Sequence, residues 1–293
     1  ADPTDPDIIY SQSQYGVLFR TDRSSGEQKR IQPWQPQQDE FPAYRWNWSA
    51  PFVISPHDPK TVYFGANVVF RSTDRGDTWA RISPDLTRQI SRDDLPLQDK
   101  VQPADAIDLH ASTAMYGNTH SLTVSPLSRG LIAAGTDDGL IQVTRDDGES
   151  WRKSDSFPDV PERMKVAMLA WSTTDEGTLY AAFDGHKDND FGPHVVRSDD
   201  YGESWRNISG GLPEFGPTKS VSVHPRNGEL VFVGTEFGVH FSRDGGEHWL
   251  PLGSGLPTNS VQGMVVHPRE NDLVIGTHGR GFWVLDELSL LES

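Results

Sequence analysis

Short apolar runs that alternate with polar residues recur along the whole chain, and turns rich in Gly, Pro, Asn and Asp separate them. In residues 220–252, such runs occur at 220–223, 230–234, 239–242 and 248–252. Period-two alternation with this punctuation is typical of β-strands joined by tight turns. Four short strands in succession are typical of one blade of a β-propeller.

The same pattern occurs elsewhere, so the chain consists of repeats. Complete four-stranded units are predicted at 51–82, 121–151, 168–205 and 220–252. A further unit, 263–288, ends after its third strand. At the other end, "DPTDPDIIY" (2–10) resembles "SPHDPKTVY" (55–63), so that the first unit lacks its innermost strand.

The repeats predict an all-β fold, a β-propeller of six or seven four-stranded blades that forms a single domain over residues 1–293. An unpaired inner strand is a liability in a closed ring. We therefore expect the chain to be a segment of a longer propeller protein. The one long insertion, Ser83–Thr119, links two neighbouring units.

Each complete unit ends with the motif Ser/Thr-x-Asp-x-Gly-x-x-Trp, and residues 18–31 hold a degenerate copy with Gln28 in place of Trp. The Asp can accept hydrogen bonds from backbone N–H groups and from the hydroxyl, the Gly permits positive φ, and the Trp can pack between blades. Four equal copies cannot all be one active site, so we interpret the motif as structural. Its residues are Asp74, Trp79, Asp146, Trp151, Asp200, Trp205, Asp244 and Trp249.

Composition narrows the classes of partner. The 293 residues carry a formal net charge of −16 and include no Cys. This charge repels nucleic acid and anionic membrane surfaces, and no apolar run is long enough to span a membrane. Disulfides, thiolate metal sites and a Cys nucleophile are excluded. The N-terminal residues do not resemble a signal peptide, which leaves open a removed leader or a longer parent chain.

The motif, together with "RWNWSAPFVISPHDP", "GTDDGLIQVTRDDG" and "GTHGRGFWVLD", resembles the BNR or Asp-box repeats of sialidase-like propellers, sortilin-like receptors and tandem-propeller xyloglucan-degrading hydrolases. The wider pattern is similar to that of large bacterial BNR-repeat glycosyl hydrolases. The resemblance covers nearly the whole chain and implies a secreted protein, extracellular or periplasmic. Because these folds host enzymes, receptors and assembly factors, it does not choose among functions.

Polar residues that could form a site fall on the face opposite the Asp motifs, in loops between second and third strands and in links between blades. Carboxylates can act as acid and base on a glycosidic bond, Trp can stack on sugars, and Arg can bind anions. The predicted catalytic residues are Asp137, Asp138 and Glu236. The predicted substrate-binding residues are Arg45, Trp46, Trp48, His120, Asp184, His278 and Arg280. Asn67 and His186 belong to the same polar set.

Several of these residues also have a purely structural interpretation. The "DDG" sequence at 137–139 is typical of a turn, and Glu236 can cap one. By contrast, Arg280 stands between two glycines, which is unusual for a turn unless something binds there. No zinc motif, phosphate loop or G-x-S-x-G sequence occurs, so that no metal and no cofactor is predicted.

Two classes of function follow. The first is an extracellular or periplasmic glycan-interacting propeller, a glycoside hydrolase if Asp137 or Asp138 pairs with Glu236 across the central funnel. The second is a non-catalytic, sortilin-like propeller that binds a protein or peptide, or a scaffold. The expected partners are a glycan or peptide in the funnel and other domains of a longer parent chain.

Two other activities receive less support. The resemblance to sialidases implies three arginines and a Tyr–Glu pair, whereas only Arg45 and Arg280 can be assigned to the correct face. A lyase or lactonase could use His120 or His278 as its base, but no residue spacing favours it.

Overall fold

The computed structural model describes residues 1–33, 43–96, 100–107, 115–253 and 255–292. These residues contain six antiparallel sheets, which we number as blades 1 to 6 in chain order. Blade 1 contains β1 (Ile8–Gln12), β2 (Leu18–Asp22) and β3 (Gln28–Arg30), and blade 2 contains β4 (Phe52–Ile54), β5 (Val62–Gly65), β6 (Val69–Ser72) and β7 (Ala80–Arg81). Blade 3 contains β8 (Thr119–Val124), β9 (Ile132–Thr136), β10 (Ile141–Thr144) and β11 (Arg152–Ser154), and blade 4 contains β12 (Lys165–Trp171), β13 (Leu179–Asp184), β14 (His194–Ser198) and β15 (Arg206–Asn207). Blade 5 contains β16 (Thr218–Val223), β17 (Val231–Thr235), β18 (Gly238–Ser242) and β19 (Leu250–Pro251), and blade 6 contains β20 (Val261–Val266), β21 (Leu273–Thr277) and β22 (Phe282–Leu285).

Helical structure is scarce in the described residues. The single α-helix, α1, covers only Ser289–Glu292, and 3-10 turns occur at Arg92–Asp94 and His186–Asp188. None of these helices could cross a lipid bilayer.

The sheets confirm the predicted all-β propeller. Blades 2 to 5 have four strands each, and blades 1 and 6 have three, as the repeat pattern indicated. Within a sheet the strands follow chain order, and in blades 2 to 6 the first strands of neighbouring blades contact each other, which makes them the inner strands. The fourth strands have only two or three residues, shorter than the alternating pattern predicted.

The Asp motif forms the hairpin between third and fourth strands. In blade 4, Asp200 accepts hydrogen bonds from the Ser198 hydroxyl (2.8 Å) and the Ser204 N–H (2.8 Å), and Gly202 has φ of 81°. Partial burial opposes ionisation, but these bonds, led by those from Ser204, lower the pKa of Asp200 to about 2. The carboxylate of Asp200 thus stabilises the turn, and Asp74, Asp146 and Asp244 make the equivalent hydrogen bonds in their blades.

The Trp of each motif joins its blade to the preceding one. The indole N–H groups of Trp79, Trp151, Trp205 and Trp249 donate to Ile31 O, Ile82 O, Ser154 Oγ and Ile208 O, respectively. Five hydrophobic cores lie between successive blades, from blades 1 and 2 to blades 5 and 6. In the described part of the chain, no core joins blade 6 to blade 1.

The Asp motifs and the turns between first and second strands lie on the same face. A backbone N–H of the motif donates to that turn in each complete blade: Arg75 N to Lys60 O, Asp147 N to Gly130 O, Tyr201 N to Gly177 O and Gly245 N to Glu229 O. The loops between second and third strands therefore emerge on the opposite face, where the candidate residues were expected.

Candidate functional site

A cleft of about 750 Å³ opens on the face opposite the Asp motifs, among loops of blades 4, 5 and 6. Three of the predicted site residues, Asp184, Glu236 and His278, line this cleft together. The complete lining is Lys165, Asp184, His186, Phe191, Phe215, Pro217, Lys219, Glu236, Phe237, Ser260, Gln262 and His278. We call it the blade 4–6 cleft. Its volume lies in the range of small-molecule sites.

Three exposed phenylalanines form the apolar part of the cleft. Phe191, Phe215 and Phe237 are 50%, 63% and 55% exposed. Their loops touch, because Gly216 N donates to Phe191 O at 2.9 Å and Gly216 lies against the Phe237 ring. Exposed aromatic rings beside polar groups are typical of a surface that binds a ligand with one apolar face.

β-Bulges in the inner strands place a polar residue at three of four equivalent positions. The strand register shifts at His120 in β8, Ala167 in β12, Lys219 in β16 and Gln262 in β20, the equivalent position in four blades. A bulge inserts one unpaired residue and re-aims its side chain, which is common beside active sites. Lys219 and Gln262 reach the blade 4–6 cleft in this way.

Asp184 is the buried centre of the cleft, with its side chain 1% exposed. Its two oxygens contact Lys165 Nζ at 2.8 Å, Lys219 Nζ at 3.0 Å and His186 Nδ1 at 2.7 Å. Burial alone would raise the pKa of Asp184, but Lys165, His186 and Lys219 hold it well below its usual value. Asp184 is therefore an anion near neutral pH that fixes the two lysines, not a proton donor.

Glu236 is the accessible carboxylate of the cleft, since its side chain is 41% exposed. Lys219 Nζ contacts its Oε2 at 3.3 Å, and the Ser260 hydroxyl donates to the same oxygen at 3.1 Å. Gln262 Nε2 in turn donates to Ser260 Oγ at 2.7 Å. These contacts hold one oxygen of Glu236 in place.

Asp184 and Glu236 share the ammonium of Lys219. The two carboxylates therefore lie on either side of one ammonium group. The pair differs from the predicted pairing of Asp137 or Asp138 with Glu236. Only one of its members, Glu236, is open to solvent.

A second polar cluster fastens the insertion Ser83–Thr119 to blades 2 and 3. Arg45 donates to Asp85 Oδ2 (2.8 Å) and to Gly117 O (2.8 Å), and Asn67 Nδ2 donates to the same Asp85 oxygen (2.8 Å). The insertion's residues 97–99 and 108–114 lie outside the described residues. Arg45 and Asn67 thus have a structural role in the described part of this face, and neither lines the blade 4–6 cleft.

The two acids of the "DDG" turn have different surroundings. Asp138 is fully buried and accepts hydrogen bonds from the Thr136 hydroxyl and the Arg88 N–H, so the expectation that it meets a substrate is wrong. Asp137 is only partly buried, and its Oδ1 accepts from Asn118 N (2.8 Å) and Gly117 N (3.0 Å). Burial, opposed by these bonds and reinforced by Asp138, raises the pKa of Asp137 to about 7.

The remaining predicted residues lie outside the cleft. Trp46 is 2% exposed in the core between blades 1 and 2, so its predicted ligand contact is wrong. Trp48 is exposed beside Tyr15, and Arg280 is exposed at the β21–β22 turn. His120 has a buried Nδ1 without a hydrogen-bond partner, and burial, reinforced by Lys165, lowers its pKa to about 3.

Sequence reasoning missed the phenylalanines and lysines of the cleft. The phenylalanines share a local signal, because each stands between an acidic residue and a glycine, at 190–192, 214–216 and 236–238. A large apolar side chain in such a turn is unusual and could have indicated a binding surface. Lys219 is the one charged residue of its inner strand, which is a weaker signal, since bulges are not visible in the sequence.

Comparisons with known proteins agree with the fold. No protein-family model matches the chain. The xyloglucanase Xgh74A of Acetivibrio thermocellus is 22% identical over 333 aligned residues, which include 96% of this chain and 35% of that enzyme. The chain thus spans about a third of the length of this curated relative.

Solved structures extend the likeness. The GH74 xyloglucanase of Xanthomonas campestris matches with a TM-score of 0.69 and 19% identity, over 98% of this chain and 44% of that one. The extracellular domain of a one-component system from B. thetaiotaomicron matches with a TM-score of 0.60 and 12% identity, over 96% of this chain and 31% of that one. Identities this low show a shared fold and not a shared activity. The chain therefore has the β-propeller fold that these enzymes and this extracellular domain contain.

Proposed function

We propose that the protein is a glycan-interacting propeller and that the blade 4–6 cleft is its glycan site. The observation that carries the proposal is the meeting of three exposed phenylalanines with a charged floor in one cleft. A sugar ring has apolar C–H faces and a rim of hydroxyl groups. The phenylalanines can stack on its faces, while Glu236, Lys219 and Gln262 can bind its hydroxyls.

The likeness to xyloglucanases supports this proposal, since those relatives are named for action on a glycan. The spacing of the repeated motif supports a relation to Asp-box, or BNR, propellers of the sialidase-like and sortilin-like type. A location outside the cytoplasm, extracellular or periplasmic, is supported by the likeness to an extracellular domain.

We extend the proposal to glycoside hydrolysis, with Glu236 of the cleft and Asp137, which lies in the β9–β10 turn outside the cleft lining, as the two carboxyl groups. Asp137 has a pKa of about 7 and can hold a proton for the leaving oxygen. Glu236 is accessible and can activate a water molecule that attacks the anomeric carbon. The resemblance to tandem-propeller hydrolases implies a catalytic pair split between two propellers, in which case this chain would supply one carboxyl group of the pair.

Binding of oligosaccharides tests the glycan site directly. Isothermal titration with neutral glucan, xyloglucan and uronate oligosaccharides should give binding to at least one class, and Phe237→Ala should weaken it about tenfold, or about 1.4 kcal/mol. Phe282→Ala is the matched control, because Phe282 is more exposed but lies in β22, outside the cleft. Equal affinity of wild type and Phe237→Ala would exclude the cleft as the site.

Hydrolysis is tested on the bound oligosaccharide by measuring new reducing ends. Glu236→Gln should abolish turnover while affinity stays within about threefold of wild type, because the amide keeps the size of the side chain. Asp137→Asn should lower the rate and move the alkaline limb of the pH profile. Binding without any turnover would remove the hydrolase extension and keep the glycan site.

A non-catalytic propeller that binds a protein or peptide, or serves as a scaffold, is the second candidate. The observation that favours it is the state of Asp184, which is buried and locked by two lysines in the best-formed carboxylate pair of the cleft. A peptide with aromatic or proline side chains could use the same three phenylalanines. This candidate would be supported if such peptides bind and if no oligosaccharide displaces them.

A further inference from the structure

The charge that the blade 4–6 cleft offers to a ligand is negative, although its lining contains equal numbers of lysines and acids. Lys165 Nζ is paired with Asp184 at 2.8 Å. Lys219 Nζ lies 3.0 Å from Asp184 and 3.3 Å from Glu236, and its side chain is only 6% exposed. The side chain of Glu236 is 41% exposed, and only its Oε2 has a partner in the described residues. In the described lining, a ligand therefore meets a free carboxylate oxygen, Glu236 Oε1, but no unpaired ammonium group.

Acidic residues also accompany the three phenylalanines, since each phenylalanine directly follows an acid in the chain. The pairs are Asp190 with Phe191, Glu214 with Phe215, and Glu236 with Phe237. Glu214 is exposed, and Asp190 is partly exposed beside His194. Lys187 and Asp188, which are both exposed in the loop before Phe191, offset each other in charge. The loops of the cleft thus add negative charge in a chain whose net charge is −16.

The phenylalanine rings leave room for a ligand between them. None of the ring contacts in the described part of the chain joins two of these rings, although their loops touch. The face of an aromatic ring carries negative potential and attracts a cation that lies within about 6 Å of its centre. Aromatic rings beside a free carboxylate are therefore suited to an ammonium group that has apolar C–H groups next to it.

These features discriminate among classes of glycan. A uronate would bring its carboxylate close to Glu236 and to the acidic loops, and both lysines that could receive it are already paired. A neutral sugar can stack on the phenylalanines, but it offers Glu236 only hydroxyl groups. A protonated amino sugar offers the same C–H faces and adds a charge-assisted hydrogen bond, which is stronger than one from a hydroxyl group.

We propose that the blade 4–6 cleft selects glycans that carry free amino groups. The C–H face of an amino sugar stacks on the phenylalanines, and its ammonium group donates to Glu236 Oε1. The negative charge of the chain attracts such a cationic ligand before it binds. The inference rests on the proposed glycan site, and it is independent of whether the bound glycan is hydrolysed.

Three matched oligosaccharides test the selection. They are the β-1,4-linked tetramers of glucosamine, N-acetylglucosamine and glucose, which share one backbone and differ only in the substituent at carbon 2 of each ring. Isothermal titration at pH 6, where the free amine is protonated, measures their affinities. The glucosamine tetramer should bind at least about tenfold more tightly than either of the other two, because only it carries ammonium groups.

Glu236→Gln is the discriminating variant. It should lower the affinity for the glucosamine tetramer about tenfold, to that of the glucose tetramer, because the amide keeps the size of the side chain and removes its charge. The affinity for the glucose tetramer should stay within about threefold of wild type, which shows that the cleft is intact. Glu149→Gln is the matched control, because it removes one exposed acid from an Asp-motif hairpin on the opposite face and should leave the preference within about twofold.

Three results would overturn the inference. They are equal affinities for the glucosamine and N-acetylglucosamine tetramers; a preference that Glu236→Gln leaves unchanged or that Glu149→Gln lowers equally; and displacement of the glucosamine tetramer by tetralysine at equal concentration, which would assign the cleft to basic peptides. Failure of the inference alone differs from failure of the glycan site. If an uncharged tetramer binds and Phe237→Ala weakens it, the glycan site stands without the preference, whereas the site fails as well if Phe237→Ala changes the binding of none of the oligosaccharides.

Discussion

Two aspartates on the same face of the propeller show how surroundings set the state of a carboxyl group. Asp184 is buried more deeply than Asp137, yet two lysines and His186 hold its pKa low. Asp137 has no such cation in contact among the described residues, and its pKa rises to about 7. Charge in contact therefore outweighs burial at Asp184, and burial prevails at Asp137.

The raised pKa of Asp137 and the lowered pKa of His120 predict opposite dependences of stability on pH. Asp137 has its folded pKa raised above its unfolded value near 4, so stability falls as pH rises from about 4 to 7. His120 has its folded pKa lowered to about 3, so stability falls as pH drops from about 6.5 to 3. Asp137→Asn should raise the free energy of unfolding at pH 8 relative to pH 4 by on the order of 1–2 kcal/mol, and His120→Asn should raise it at pH 4 relative to pH 8.

Urea unfolding at pH 4, 6 and 8 measures both changes. Each variant serves as the control for the other, since both substitute one polar residue on the same face. Parallel pH curves for wild type and Asp137→Asn would show that this carboxyl titrates normally.

At the scale of elements, one hairpin supplies both a local turn and a long-range contact. The Asp and Gly of the motif fix the turn through bonds to residues within four positions. The Trp then reaches the blade that precedes it in the chain. A single eight-residue element thus determines the local fold and the order of packing, which explains why it recurs in each complete blade.

Trp249→Phe should destabilise the protein by about 1–3 kcal/mol, because it empties part of a buried site and leaves Ile208 O without its donor. The measurement is thermal or urea unfolding. Trp283→Phe is the matched control, because Trp283 is 37% exposed and its indole N–H bonds only within its own turn. Equal losses for the two variants would contradict the role of the motif Trp in joining blades.

The whole molecule is a row of blades in which each described core joins only neighbours. Such an arrangement distributes stability unevenly, since central blades are covered on both faces and blade 6 on one. Every residue of β13 and β17 is buried, whereas every residue of β22 is exposed.

Hydrogen exchange in the chain should follow this pattern. Amides of β13 and β17 should exchange at least about 10³-fold more slowly than those of β22, because they open only with the loss of two interblade cores. Mass spectrometry of peptides covering the three strands measures this difference. Protection of β22 equal to that of β17 would contradict this uneven distribution of stability.

The candidate site was predicted only in part. The position of the face followed from the alternation of loops in an up-and-down blade, and Glu236, Asp184 and His278 line one cleft on that face. Trp46 and Asp138 were also expected there as ligand contacts, but both are buried. A single side chain's exposure depends on what packs over it, and neither local spacing nor residue type contains that information.

The sequence by itself determined the features that depend on neighbours along the chain. Period-two alternation defines the strands, the motif spacing defines the hairpins, and their repetition defines the units, because each arises from residues a few positions apart. Only the tertiary structure decided which loops meet. It brought Phe191, Phe215 and Phe237 of three separate loops into one cleft with Lys219 and Glu236. Those contacts depend on how blades pack and where bulges turn the inner strands, and many sequences with the same local pattern could arrange them differently.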